Sequence, residues 1–428
     1  MLLVYCQKAT PRITYVFKHV VTRILGVEVG FTSVIEELIA HNGPKMSYGK
    51  QPMGNEMFVQ SAGLLEQSGV ESIEIIVSPW ENTIGFFKVG EKSILPYDIF
   101  SAAFYLLSRY EEYLPHVKDE KGRYPATESL GYKEKFLETP VIDIWAQKFK
   151  EVLHGQFPSL SIKARDTRTH HVIKADKPFA YGQKGIFRSM IGYLSDLVRF
   201  RFSNLYLRTQ VLLRLRKDPY DTFTWLVNIG KQHRKSVTVF FLLGDALQFE
   251  DSLNTKRRQF QMKLKFVGDY YQVGTLFSFA ALQQYSKLKS EKKFMEAITN
   301  RPLQASMNAE YVVDLPDIYR ELIELEIIRD FTMVYNTHPG FRAGTCTPFL
   351  FYDLDYEIKT PLEIQPLAMT TQSMAGKTPA QVRQKVENMY REVFKVGGLF
   401  SMVYSNTDFA ASEPSQWKKI FTETLQHL

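Results

Sequence analysis

Cysteine is nearly absent: only Cys6 and Cys346 occur in 428 residues. Their number and spacing exclude a cysteine-rich zinc site or a disulfide framework, and both read as free, buried thiols. No run approaches the ~20 apolar residues that a membrane-spanning helix needs. The opening Met1-Leu2-Leu3-Val4-Tyr5-Cys6 is apolar but short, has no basic leader and runs into Gln7-Lys8. It reads as a first strand, not a secretory signal, so the chain is expected in the cytoplasm, with contact at a membrane surface left open. A glycine-rich phosphate loop is missing, Gly397-Gly398 being an isolated turn signal, and no serine sits in a Gly-x-Ser-x-Gly frame. Charge imbalance is also slight. The net charge of +7 and pI of about 9.0 are too mild at this length to imply nucleic acid as a partner.

What is present is core-forming material. Hydrophobic residues make up 45% and aromatics 14%, and the length favours two domains. Residues 1–160 read as an α/β unit. A strand at Leu2–Cys6 precedes a helical repeat over Ile13–Leu25, then a strand at Val27–Phe31, with Ile73–Val77 as a further strand. Tyr97–Tyr113 reads as one helix, and another is expected around Ala146–Leu153. Between Pro158 and Thr169 the patterning weakens, and a boundary is placed there.

Over residues 165–428, β-like and helical runs alternate, which predicts parallel strands joined by crossovers. The strands expected are His170–Ile173, Ser236–Leu243, Gln272–Leu276, Phe331–Val334, Ile364–Met369 and Gly398–Val403. The helices include Tyr220–His233, Lys256–Tyr270, Leu282–Thr299, Pro316–Leu325 and Pro379–Val396.

One segment interrupts that rhythm. From Gln183 to Lys217 there are eight basic residues against a single acid, Asp196, with leucines and tyrosines interleaved. Such a stretch suits an anionic membrane or an acidic polymer. The plainer expectation is an inserted helix whose leucines pack on the body while its arginines face water.

Several stretches, in consistent order, resemble bacterial two-domain polysaccharide deacetylases. Tyr110-Glu111-Glu112-Tyr113-Leu114-Pro115, Gly122-Arg123-Tyr124 and Phe136–Trp145 look like the N-terminal domain that precedes some of these enzymes. Asp176–Tyr181, Lys217–Phe223, Phe240–Asp245 and Gly340-Phe341-Arg342-Ala343-Gly344-Thr345 look like their catalytic domain. The resemblance implies an N-terminal α/β domain followed by a distorted (β/α) barrel, with its site at the carboxyl ends of the strands.

Deacetylation of this kind uses a divalent metal such as zinc to polarise the amide, a carboxylate base, and an acid for the leaving amine. By the resemblance Asp176 stands at a metal-ligand position and Arg342 at that of the arginine that steadies the base. Lys174 stands where the base belongs, Leu276 where a metal histidine belongs, and Ser405 where the acid belongs. Lysine cannot act as a carboxylate base, and two cations about 4 Å apart repel by roughly 1–4 kcal/mol. Arg342 is therefore expected to turn to Asp176 for its anionic partner. No cofactor is expected.

These losses imply a catalytically degenerate protein that keeps a glycan-binding or partner-enzyme-supporting role in surface-polysaccharide metabolism. Two alternatives stand beside it. One is a sugar amide or ester hydrolase working through rearranged groups such as Asp176, His171 and His338. The other is a membrane-surface scaffold acting through the basic segment. His170 and His171 should point to opposite faces of a strand, so at most one could join Asp176. His338 reads as a loop hydrogen-bonding residue, and Glu310 and Asp314 as solvated charges.

Overall fold

The computed structural model describes residues 1–233, 236–247, 251–410 and 416–426. The N-terminal part is built on four parallel strands: β1 (Leu2–Tyr5), β2 (Val29–Thr32), β3 (Lys45–Gly49) and β4 (Met57–Gln60). Their order is β2-β1-β3-β4. The expected first helix forms at Pro11–Phe17, where Thr10 caps the backbone N–H of Ile13, and continues as a wider helical turn over Lys18–Ile24.

Two expectations here need correcting. Ile73–Val77 forms no ladder: the nearby strands β5 (Ser78–Trp80) and β6 (Thr83–Gly85) pair instead, while Ile73, Ile75 and Val77 only rest on the core. The single helix at Tyr97–Tyr113 is two, Ile99–Leu107 and Tyr110–Tyr113, because Arg109 takes a left-handed conformation (φ 54°) between them. The helix expected around Ala146–Leu153 is longer and runs from Val141 to Gln156.

The second sheet has nine strands: β7 (Arg168–Ala175), β8 (Val237–Leu242), β9 (Gln272–Phe277), β10 (Ala305–Asn308), β11 (Arg329–Asp330), β12 (Phe349–Asp353), β13 (Ile358–Ile364), β14 (Met369–Thr370) and β15 (Leu399–Ser405). The order is β12-β13-β11-β10-β9-β8-β7-β15-β14, parallel except for the β12–β13 pair. Helices follow β8, β9 and β10 and precede β15, as the alternating pattern predicts.

Strand pairing does not close this sheet into a barrel among the described residues. Its two sides nevertheless belong to one stretch of chain. The Gln365 N–H donates to the Asp330 carbonyl at 2.9 Å, and the Ala368 N–H donates to the Ser401 carbonyl at 2.8 Å. The Gln365 side chain also reaches Ser401 Oγ at 3.1 Å. A separate apolar cluster gathers Val172, Phe240, Leu276, Met307, Leu367 and Val403 from strands across this sheet and the segment that links its two sides. The larger core runs without a break from the first sheet to the second, so both halves share one interior.

Candidate functional site

Lys174 and Asp176 lie at the carboxyl end of β7. Alternation along that strand sends Lys174 to the inner face, and the next turn returns Asp176 beside it. Lys174 Nζ is 3.2 Å from Asp176 Oδ2 and 5.1 Å from the centre of the Tyr311 ring. Burial opposes the ammonium charge, but Tyr311, Asp176 and Glu310 outweigh it and hold the lysine protonated beyond its usual range. Ser405, at the end of the neighbouring β15, donates to Asp176 Oδ1 at 3.3 Å. Its own N–H donates to Asp408 Oδ2 at 2.7 Å. Burial pushes the Asp408 carboxyl above its ordinary value.

Above this group opens a cavity of about 520 Å³, whose wall includes Lys174, Asp176, Tyr220, Tyr311, Asp408 and Trp417. A second space of about 220 Å³ shares Lys174, Asp176 and Lys177 and is bordered by Leu276. Three positions singled out from the sequence, 174, 176 and 405, therefore meet in one place, with Leu276 next to them. Trp417, Asp408 and Gln372, the last also lining the larger cavity, were not found by sequence reasoning, because they come from late segments with no recognisable pattern.

Arg342 is elsewhere. Contrary to the expectation from sequence, it does not pair with Asp176 but forms a two-pronged pair with Glu112: Nε to Oε1 at 2.9 Å and Nη2 to Oε2 at 2.7 Å. Arg109 shares that carboxylate at 2.8 Å, and its guanidinium also donates to the Arg342 carbonyl and to Tyr335. Burial raises the carboxyl of Glu112, but the two arginines overcome it and hold its pKa at about 2. The rest of the motif is fastened to the N-terminal half as well. Phe341 N–H donates to the Leu137 carbonyl at 2.7 Å, while Thr345 Oγ1 and the Cys346 N–H reach the buried Asp143 at 2.6 and 3.0 Å. Gly344 adopts φ 66°, and a Cβ there would stand 2.7 Å from Leu106.

The histidines do not approach Asp176. His170 turns inward to hydrogen-bond Thr238 at 3.0 Å, and His171 turns outward against Phe421 at 4.9 Å between ring centres. Opposite faces are thus observed, and neither histidine joins the site. His338 bonds its neighbour Thr337 at 3.0 Å and lies edge-on to Tyr132. Asp314 pairs with Lys118 with both side chains in water, as expected of a solvated charge, whereas Glu310 is only partly exposed, pairs with Lys121 and borders the smaller cavity.

The donor set does not fit a catalytic metal. Such a site needs about three protein ligands. Here an ammonium group occupies one side of the Asp176 carboxylate, Leu276 offers no lone pair, and among the described residues no three His, Cys, Asp or Glu side chains converge.

A family model described as a family of unknown function (DUF7033) matches residues 2–158. No curated protein matches the chain. Among solved structures, one from Mycobacterium smegmatis, described as a "putative polysaccharide deacetylase", is 9% identical with a TM-score of 0.39. It covers 62% of this chain and 87% of that one. A 4-alpha-glucanotransferase from Thermococcus litoralis is 11% identical with a TM-score of 0.36, covering 60% and 36%. No assignment follows from similarity at this level. No described helix is long and apolar enough to cross a membrane.

Proposed function

We propose that the chain is a polysaccharide-deacetylase-like protein with a distorted barrel, in which the hydrolytic centre has become a carbohydrate-binding site. The observation that carries this reading is the Lys174–Asp176 pair at 3.2 Å, placed on the floor of the 520 Å³ cavity. A fixed ammonium ion replaces the carboxylate base and also neutralises the one remaining metal-ligand position. The inherited route of amide hydrolysis then has neither its base nor its metal ligands at the motif positions.

The cavity wall suits a ring bearing hydroxyl and acetamido groups. Tyr220 and the exposed part of Trp417 supply aromatic surface in the wall, while Asp176, Asp408 and Lys177 offer acceptors and a donor. The role is glycan binding, or support of a partner enzyme, in bacterial surface-polysaccharide metabolism.

Titration with oligomers of N-acetylhexosamine, followed by tryptophan fluorescence, tests this. Saturable binding is expected, weakened at least about tenfold by Trp417→Ala or by Tyr220→Ala, the usual scale for loss of a stacking anchor. No response to neutral or acetylated oligosaccharides, or a response untouched by both substitutions, would contradict it.

A further inference from the structure

The segment between Gln183 and Lys217 folds as two helices, Ile186–Val198 and Phe202–Leu212, and its layering is inverted. The inner face is polar. Asp196 and Arg208 are both buried and paired at 2.6 Å. The Arg208 guanidinium stacks on Tyr181 and Tyr193, and Gly192 leaves it room. The outer face is apolar. Ile186, Phe187, Met190, Leu194, Leu197 and Val198 are between 52% and 80% exposed and recur at helical spacing along one side. Phe200, Phe202, Tyr206 and Leu213 extend that surface across the turn and the second helix. The leucines thus do not pack on the body, contrary to the plainer expectation from sequence.

An apolar surface of this extent on a water-facing element marks a contact with something else. Charge selects the partner. Arg199, Arg201, Arg214, Arg216 and Lys217 are exposed, and no ion pair of theirs occurs among the described residues. They stand at the turn of the hairpin and just beyond its second helix, so cations sit at both ends of the apolar stripe. The single acid, Asp196, is already committed to Arg208. A second copy of the chain would bring these cations against one another, whereas anionic headgroups would neutralise them.

We propose that this hairpin lies flat on an anionic phospholipid bilayer, with its apolar stripe in the boundary between headgroups and acyl chains. Its base is firmly set. The Asp218 carboxylate accepts the N–H groups of Ala180, Tyr181 and Gly182 at 2.8, 2.9 and 2.8 Å, clamping the two ends of the insertion together. That base follows directly from the Lys174–Asp176 end of β7. The inference stands whatever the cavity binds.

The test is co-sedimentation of the full chain with vesicles of phosphatidylcholine, with and without phosphatidylglycerol. Pelleting is expected only with the anionic vesicles, and it should fall steeply as salt rises. Arg199→Gln, Arg201→Gln, Arg214→Gln and Arg216→Gln together should weaken binding at least about tenfold. Leu194→Gln, Leu197→Gln and Phe200→Gln together should do the same. Both sets alter exposed side chains, so thermal melting should not move, and an unchanged melting curve separates lost binding from lost folding. Failure of the parent chain to pellet at low salt, or pelleting unaffected by either set, would overturn the proposal. So would a lipid-free dimer that the apolar set converts to monomer, since the surface would then belong to a second copy.

Discussion

Arg342 and Glu112 are 230 positions apart in sequence and form a buried, two-pronged ion pair at 2.9 and 2.7 Å. The arginine expected from the sequence to sit beside Asp176 instead ties the second half of the chain to the first. Removing one partner of such a pair strands the other charge away from water, at a cost of about 3–5 kcal/mol. Glu112→Gln should lower stability by that amount in urea unfolding. A loss below about 1 kcal/mol, the range of an exposed pair, would show that the contact does not hold the halves together.

The same pair sets a pH dependence. The pKa of Glu112 is held at about 2 in the folded chain against an ordinary 4.5. Its folded value is depressed, so its contribution is fully present above about pH 4.5 and is lost as pH falls towards 2. The stability gap between the parent and Glu112→Gln should therefore shrink across that window when unfolding is followed at successive pH values. A gap that stays constant down to about pH 2 would contradict the assignment.

Much of the second sheet was legible because β7, β8, β9 and β15 are dense in apolar and β-branched residues. The misses have local causes. The β10 strand, Ala305-Ser306-Met307-Asn308, carries one large apolar side chain. Its burial depends on Ser306 bonding Asp330 at 3.0 Å and Asn308 bonding the Val312 carbonyl at 2.8 Å, which no hydrophobic pattern reveals. Phe331–Val334 resembles a strand, yet the strand is Arg329–Asp330. The Asp330 carboxylate takes both the N–H and the hydroxyl of Thr332, which bends the chain out of the sheet. The convergence of positions 174, 176 and 405 followed from motif order. The partner of Arg342 did not, since sequence alone gives no means of pairing two residues from separate halves.

Both thiols should be inert in the folded chain. Burial raises Cys6 to about 11, and burial, with Asp143 beside it, raises Cys346 well above its usual value. Neither should react with an aromatic disulfide reagent at neutral pH, and both should react once the chain is unfolded. Rapid labelling of either in the native protein would contradict the packing described.

Adding ligand chemistry should create a metal site. Lys174→Asp with Leu276→His removes the ammonium group and, with Asp176, supplies three ligand-type side chains around the smaller cavity. The double variant should retain zinc through dialysis where the parent does not. Equal retention by the two would mean that these positions do not face one another as proposed.

Elemental analysis of the purified parent chain, paired with acetate release from an N-acetylated oligosaccharide that it binds, decides whether the cavity binds without hydrolysing. Only trace divalent metal is expected and no acetate above the no-protein control, with binding unchanged by a chelator. About one zinc, cobalt or nickel per chain, lost in Asp176→Ala together with acetate release, would contradict it.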